Sequence, residues 1–231
     1  MQYDFSGQCF MTEFHLSTNI KTAVVTARHP FDVPTFHAVF HSMPDVDFYP
    51  QHMEDFVSDA GSVRQKYDVV VFYNHHQQTP GTEEGWWEKR TLEALRQLGE
   101  TPQGILVLHH GLVAFRDWDF WAELVGLPER SMNYKFGQEL QVQIAAEHPI
   151  TRGLSAWTMT DETYSLPNER PGSEVLLTTN HPDSTQVLAW TRQFRQSRVF
   201  CFQSGHDAAT FANEDFRAVL HNGIRWLAQR I

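Results

Sequence analysis

The stretch DVVVFY at residues 68–73 decides the fold: after one acid come four consecutive apolar β-formers, three of them valines. A run without polar alternation reads as a strand buried on both faces, the habit of parallel sheets covered by helices. Upstream, TAVVT at 22–26 is a second such strand, ending before Pro30, with a short helix over 35–41 and a strand over 46–49 between the two. Downstream, residues 83–98 place Trp87, Leu92, Leu95 and Leu98 at near-helical spacing behind two acids suited to a helix start. GILVL at 104–108 is the next buried strand, and an aromatic-rich helix over 112–125 ends at Gly126. Further strands are expected at 140–144, 174–179, 186–190 and 198–202 (RVFCF). A closing helix over 214–229, capped by Asn213, carries the apolar stripe Phe216, Val219, Leu220, Ile224 and Leu227. Strands alternating with helices predict an α/β domain with a mostly parallel sheet and helices on both faces. Residues 1–20 lack a clear period and read as an N-terminal extension packed on a single domain spanning 21–231.

Composition bounds the function. The chain has 231 residues, 28 Asp+Glu against 18 Lys+Arg and a net charge of −10, so no basic groove for nucleic acid is expected. Cys9 and Cys201 are too few and too distant for a disulfide framework or a cysteine-based zinc site. The opening residues show no signal-peptide pattern and no stretch approaches the ~20 apolar residues of a membrane span, which predicts a cytoplasmic protein. No G-x-G-x-x-G or Walker sequence supports a nucleotide, and neither G-x-S-x-G nor H-E-x-x-H occurs. Cys201, between Phe200 and Phe202, reads as a buried core thiol.

The histidines carry the functional signal. TAVVT leads to His29 and Asp32, DVVVFY to Asn74, His75 and His76, GILVL to His109 and His110, and RVFCF to His206 and Asp207. Carboxyl ends of parallel strands lie along one edge, and ligands bind in the crevice outside them. A lone loop histidine is usually a solvated side chain, but histidine after all four buried strands predicts a functional cleft. Imidazole there can transfer protons, bind hydroxyls or ligate metal. The motif Asp161-Glu162-Thr163-Tyr164 reads, on residue type alone, as a surface turn, and Trp86, Trp87, Trp118 and Trp121 as packing rather than sugar platforms.

In order along the chain, the blocks KTAVV (21–25), RHPFD (28–32), YDVVVFYN (67–74), HHG (109–111), HPITRGL (148–154), DETY (161–164), RVFCFQSGHD (198–207) and NGIRWL (222–227) form a recognisable series. It resembles the ThuA-like (trehalose utilisation) family, whose fold is similar to that of class I glutamine amidotransferases. The resemblance implies a flavodoxin-like doubly wound domain and a role in carbohydrate catabolism, with keto-disaccharides or related glycosides as substrates. Against the amidotransferase elbow G-x-C-x-G stands Val107-Leu108-His109-His110-Gly111, with His109 at the cysteine position, so glutaminase activity is not implied.

The expected function is therefore a sugar enzyme working by histidine-based proton transfer in isomerisation, epimerisation, or eliminative or hydrolytic cleavage next to a carbonyl. His109, His110 and His206 take acid/base or ligand roles, Asp207 orients an imidazole, and Glu162 is the second base. His29, Asp32, Asn74, His75, His76 and Tyr164 bind substrate. A divalent Zn²⁺, Mn²⁺ or Fe²⁺ is expected on His29, His109 and His206, each of which ends a different strand. The alternative is a non-catalytic sugar-binding or regulatory domain that keeps an amidotransferase-like shell. The partner is a small carbohydrate, with neither nucleic acid nor membrane, and the aromatic content of 13% favours a homo-oligomer.

Overall fold

In the computed structural model, which describes residues 18–59, 62–82 and 84–231, all six side chains of Val69–Asn74 are buried. In chain order the elements are β1 (Ile20–Ala27), α1 (Val33–His41), β2 (Val46–His52), α2 (Met53–Ser58), β3 (Val69–Asn74), α3 (Trp86–Arg96), β4 (Gly104–Leu108) and α4 (Asp119–Val125). There follow β5 (Tyr134–Ile144), β6 (Trp157–Tyr164), β7 (Ser173–Thr178), β8 (Val187–Phe194), β9 (Ser197–Phe202), α5 (Ala208–Ala212) and α6 (Glu214–Leu227). The N-terminal extension expected over 1–20 falls, up to residue 17, outside the described residues, as does Cys9.

The strands form one sheet in the order β2-β1-β3-β4-β9-β8-β7-β5-β6. The first five run parallel, and each later pairing is antiparallel. The sheet is thus mixed rather than mostly parallel. The reason shows between β8 and β9, which only Arg195 and Gln196 connect, Arg195 with φ 52. Two residues can close a hairpin but cannot make the crossover that a parallel pair requires.

Alternation along each central strand feeds two cores. On β3, Val70 and Phe72 pack with Met53, Phe56, Leu95, Trp121 and Leu124, and so with α2, α3 and α4. Val69, Val71 and Tyr73 join Phe36, Val39, Phe40, Phe211, Phe216 and Leu220 of α1, α5 and α6 on the other face. Cys201 is wholly buried in the first of these cores, and burial pushes its thiol pKa up, which suits a packing residue.

The helix expected over 112–125 is reduced to α4. Phe115 adopts φ 49, and the buried Arg130 guanidinium donates to the Phe115, Arg116 and Trp118 carbonyls at 2.7, 2.5 and 3.3 Å. The Phe115 and Arg116 carbonyls thus end on the guanidinium and not on an i+4 amide, while Trp118 also accepts from Ala122 N at 3.1 Å as α4 begins. Trp118 and Trp121 are core residues, while Trp86 is exposed beneath Arg90.

Candidate functional site

The parallel pairings β1–β3–β4–β9 set four carboxyl ends side by side, and neighbouring strands stand about 4.8 Å apart. Beyond β1 the chain turns through Arg28 at φ 63 and presents His29; beyond β4, His109 itself takes φ 52. That left-handed conformation is costly for a residue with a Cβ and marks a sharp turn held by its surroundings. Gly111 makes the turn possible, because a Cβ there would lie 2.6 Å from the Phe72 carbonyl oxygen. Beyond β9, Gly205 at φ 130 swings His206 back over the sheet edge.

The imidazoles converge. His29 stacks on His110 with centroids 4.2 Å apart, and lies 5.9 Å from His206; His109 and His206 are 5.3 Å apart, and His75 and His110 5.5 Å. His76 turns aside to stack on Phe115, its Nδ1 accepting from Asn74 Nδ2 at 3.2 Å. There it lines a cavity of about 330 Å³ with Arg28, His75, Gln77 and Glu88. Burial lowers the pKa of His29, His75 and His110, so these rings are held in the neutral form near pH 7; His75 is held at about 4.

DETY is not a surface turn. It is the end of β6, and Asp161, Glu162, Thr163 and Tyr164 are all buried. Period-two alternation sends Glu162 and Tyr164 to one side, onto His109, and Asp161 to the other. Glu162 Oε2 lies 3.1 Å from His109 Nε2 and 3.2 Å from His206 Nδ1, and those two nitrogens are 3.2 Å apart. The Tyr164 hydroxyl stands 3.0 Å from His109 Nε2. On its other edge, His109 Nδ1 donates to the Gln203 carbonyl at 2.7 Å, which fixes the ring with Nε2 facing the cluster. Burial works to raise the pKa of Glu162, but hydrogen bonding to His109 and His206 outweighs it and holds the carboxyl at about 2. The hydrogen bond to Glu162 raises the pKa of His206, and burial raises that of Tyr164.

One expected role is corrected, and a second expected residue also caps a helix. Asp207 does not orient an imidazole: its Oδ1 caps α5, accepting from Ala209 N at 2.9 Å and Thr210 N at 3.2 Å. Asp32 caps α1 through Thr35 N at 3.2 Å. Asp207→Ala is accordingly expected to cost about 1 kcal/mol of stability, as a lost N-cap does, and to reduce turnover far less than His206→Ala. Urea denaturation and a parallel turnover assay measure both. His29, expected as a metal ligand, stands outside the tightest donor cluster: among the described residues, the imidazole and carboxylate atoms that lie within 4.8 Å of one another are those of His109, Glu162 and His206.

Sequence reasoning missed three contributors. Asp161 accepts from Gly205 N at 3.0 Å, His206 N at 3.1 Å and Thr210 Oγ1 at 2.8 Å, clamping the loop that carries His206. Tyr73 donates its hydroxyl to the Gly205 carbonyl at 2.8 Å. Phe136, exposed on the β5 overhang, sets its ring 5.0 Å from that of His206. The alternation WTMTDETY was the available signal for β6; the backbone partners had none.

The sequence matches the ThuA family, described as trehalose utilisation, over residues 36–227. No curated protein matches it. Among solved structures, a ThuA-like protein from Parabacteroides merdae is similar at TM-score 0.68 and 19% identity, covering 92% of this chain and 91% of that one. A cytoplasmic protein from Salmonella typhimurium gives 0.62 and 13%, covering 90% and 99%. A glutamine amidotransferase from Thermotoga maritima gives 0.57 and 10%, covering 91% and 99%. At these identities the likeness is one of fold. No helix among the described residues is long and apolar enough to cross a membrane.

Proposed function

The chain belongs to the ThuA (trehalose utilisation) family, which ties it to carbohydrate metabolism, and on that premise we propose that it is an enzyme transferring protons on a keto-disaccharide or related glycoside. The carrying observation is the meeting of His109, Glu162, His206 and Tyr164 within 3.2 Å in the crevice outside the parallel strands. A carbonyl acidifies the neighbouring C–H, so a neutral imidazole can take that proton. His29, uncharged and beside His206, is suited to accept it. The ionised Glu162 and the Tyr164 hydroxyl face the reacting oxygens, and Asn74, His75 and His110 form the neighbouring wall. Removal of the proton leads to isomerisation or epimerisation if it returns to carbon, and to cleavage if the glycosidic oxygen leaves.

The test is a mixture of the protein with 3-keto and unoxidised disaccharides followed by NMR. Conversion of the keto sugar, with the unoxidised one unchanged, is expected. Saturable binding with neither sugar converted would instead make the domain a sugar-binding module.

A further inference from the structure

We infer that His109, Glu162 and His206 form a binding site for one divalent first-row transition-metal ion, with His109 Nε2, Glu162 Oε2 and His206 Nδ1 as its ligands. These atoms make a near-equilateral triangle with edges of 3.1, 3.2 and 3.2 Å. For metal–ligand distances of about 2.1 Å, ideal tetrahedral edges are about 3.4 Å and octahedral edges about 3.0 Å, so the triangle falls between the two. A point about 2.1 Å from all three atoms lies about 1 Å off their plane, so their present spacing already suits a shared ion.

A count of protons points the same way. In the neutral form of His109, Gln203 takes the Nδ1 proton at 2.7 Å and Nε2 is a lone pair free to ligate. Glu162 accepts only. Around this spot the available hydrogens are the Tyr164 hydroxyl, 3.0 Å from Nε2, and the one on His206. Neither sits between His109 Nε2 and Glu162 Oε2, two acceptors 3.1 Å apart with side chains 0% and 5% exposed. Buried acceptors at that separation repel unless a cation lies between them, either a second proton on His109 or a metal. The backbone carbonyl behind His109 is the outer partner that orients metal-bound histidines.

Two imidazoles and one carboxylate suit Zn²⁺, Mn²⁺ or Fe²⁺ better than Mg²⁺ or Ca²⁺, which prefer all-oxygen sets. The site differs from the sequence expectation in exchanging His29 for Glu162. It does not rest on the sugar assignment, because metal can be measured without any substrate.

The experiment uses untagged protein, its metal content determined by elemental analysis as purified and again after dialysis against a chelator, followed by titration with Zn²⁺ and with Co²⁺. Expected are close to one equivalent per chain on titration and visible Co²⁺ absorption bands displaced by Zn²⁺. His206→Ala and Glu162→Gln should each weaken Zn²⁺ binding at least ~10-fold with circular dichroism unchanged, while His37→Ala on α1 binds as wild type. His206 lies at the rim of the cleft, so its truncation keeps the test open even where the buried Glu162 variant fails to fold. Folded wild-type protein that takes up neither ion at micromolar concentration, or that binds equally well as His206→Ala, would overturn the site and leave a proton on His109 as the cation.

Discussion

His109→Ala and His206→Ala are each expected to lower turnover of the keto-sugar substrate by at least ~100-fold, the scale of a reaction centre put out of place. The two residues reach the same spot from different strands. His109 is fixed in the turn after β4, with its ring locked by the Gln203 carbonyl at 2.7 Å. His206 hangs from the loop after β9 and meets Glu162 at 3.2 Å. Removing either breaks the triangle, so the double variant should be little worse than the singles, as groups acting as a unit are non-additive. His76→Ala makes the comparison informative, because its ring is turned onto Phe115 and away from Glu162. A loss confined to a few-fold is expected there. Steady-state rates on the converted sugar decide the matter, and equal losses in all three variants would show that the cleft as a whole, and not this centre, is what matters.

Asp161→Ala is expected to produce the largest loss of stability. The carboxylate is fully buried and accepts from two backbone N–H groups and the Thr210 hydroxyl. The two amides left without a partner cost about 1–3 kcal/mol each, while the Thr210 hydroxyl keeps the Thr160 carbonyl at 2.9 Å, so roughly 2–5 kcal/mol is expected. That is a large part of the total stability of an ordinary domain. Turnover should fall with it, since a shift of about 1 Å in a reacting group can cost ~100-fold. Asp161→Asn keeps one acceptor oxygen and should lie between the alanine variant and wild type. The urea midpoint reads the first effect, and turnover below the unfolding transition reads the second. An alanine variant as stable as wild type would mean that the loop carrying His206 is held by Tyr73 and Gly205 alone.

The strand-end histidines were legible because two simple facts combine. Valine runs buried on both faces make parallel strands, and parallel strands end at one edge. His29, His75, His109, His110 and His206 therefore had to approach one another, and their rings do so within 6 Å of a neighbour. The carboxylates were another matter. Asp207 stands next to His206 in sequence, but a residue beside a helix start is drawn into capping, and the Ala209 and Thr210 amides claim it. Glu162 comes from a strand that pairs only with β5, so its approach to His109 depends on a long-range register that no local pattern encodes. DETY looked exposed because its residues are polar; it is buried because Asp161 and Glu162 find polar partners there and Tyr164 joins the core. The mixed character of the sheet was hidden similarly, since a strand's direction is set by the length of its connections rather than by its composition. α2 and α5, with six and five residues, are too short to show a helical period.

The most direct measurement is solvent exchange. With the keto-disaccharide in D₂O, proton NMR follows the hydrogen on the carbon next to the carbonyl. Its replacement by deuterium in the presence of the protein, and loss of that exchange in His206→Ala, are the expected results. A sugar that is turned over while that hydrogen stays fully protonated in both substrate and product would contradict proton transfer at the histidine centre.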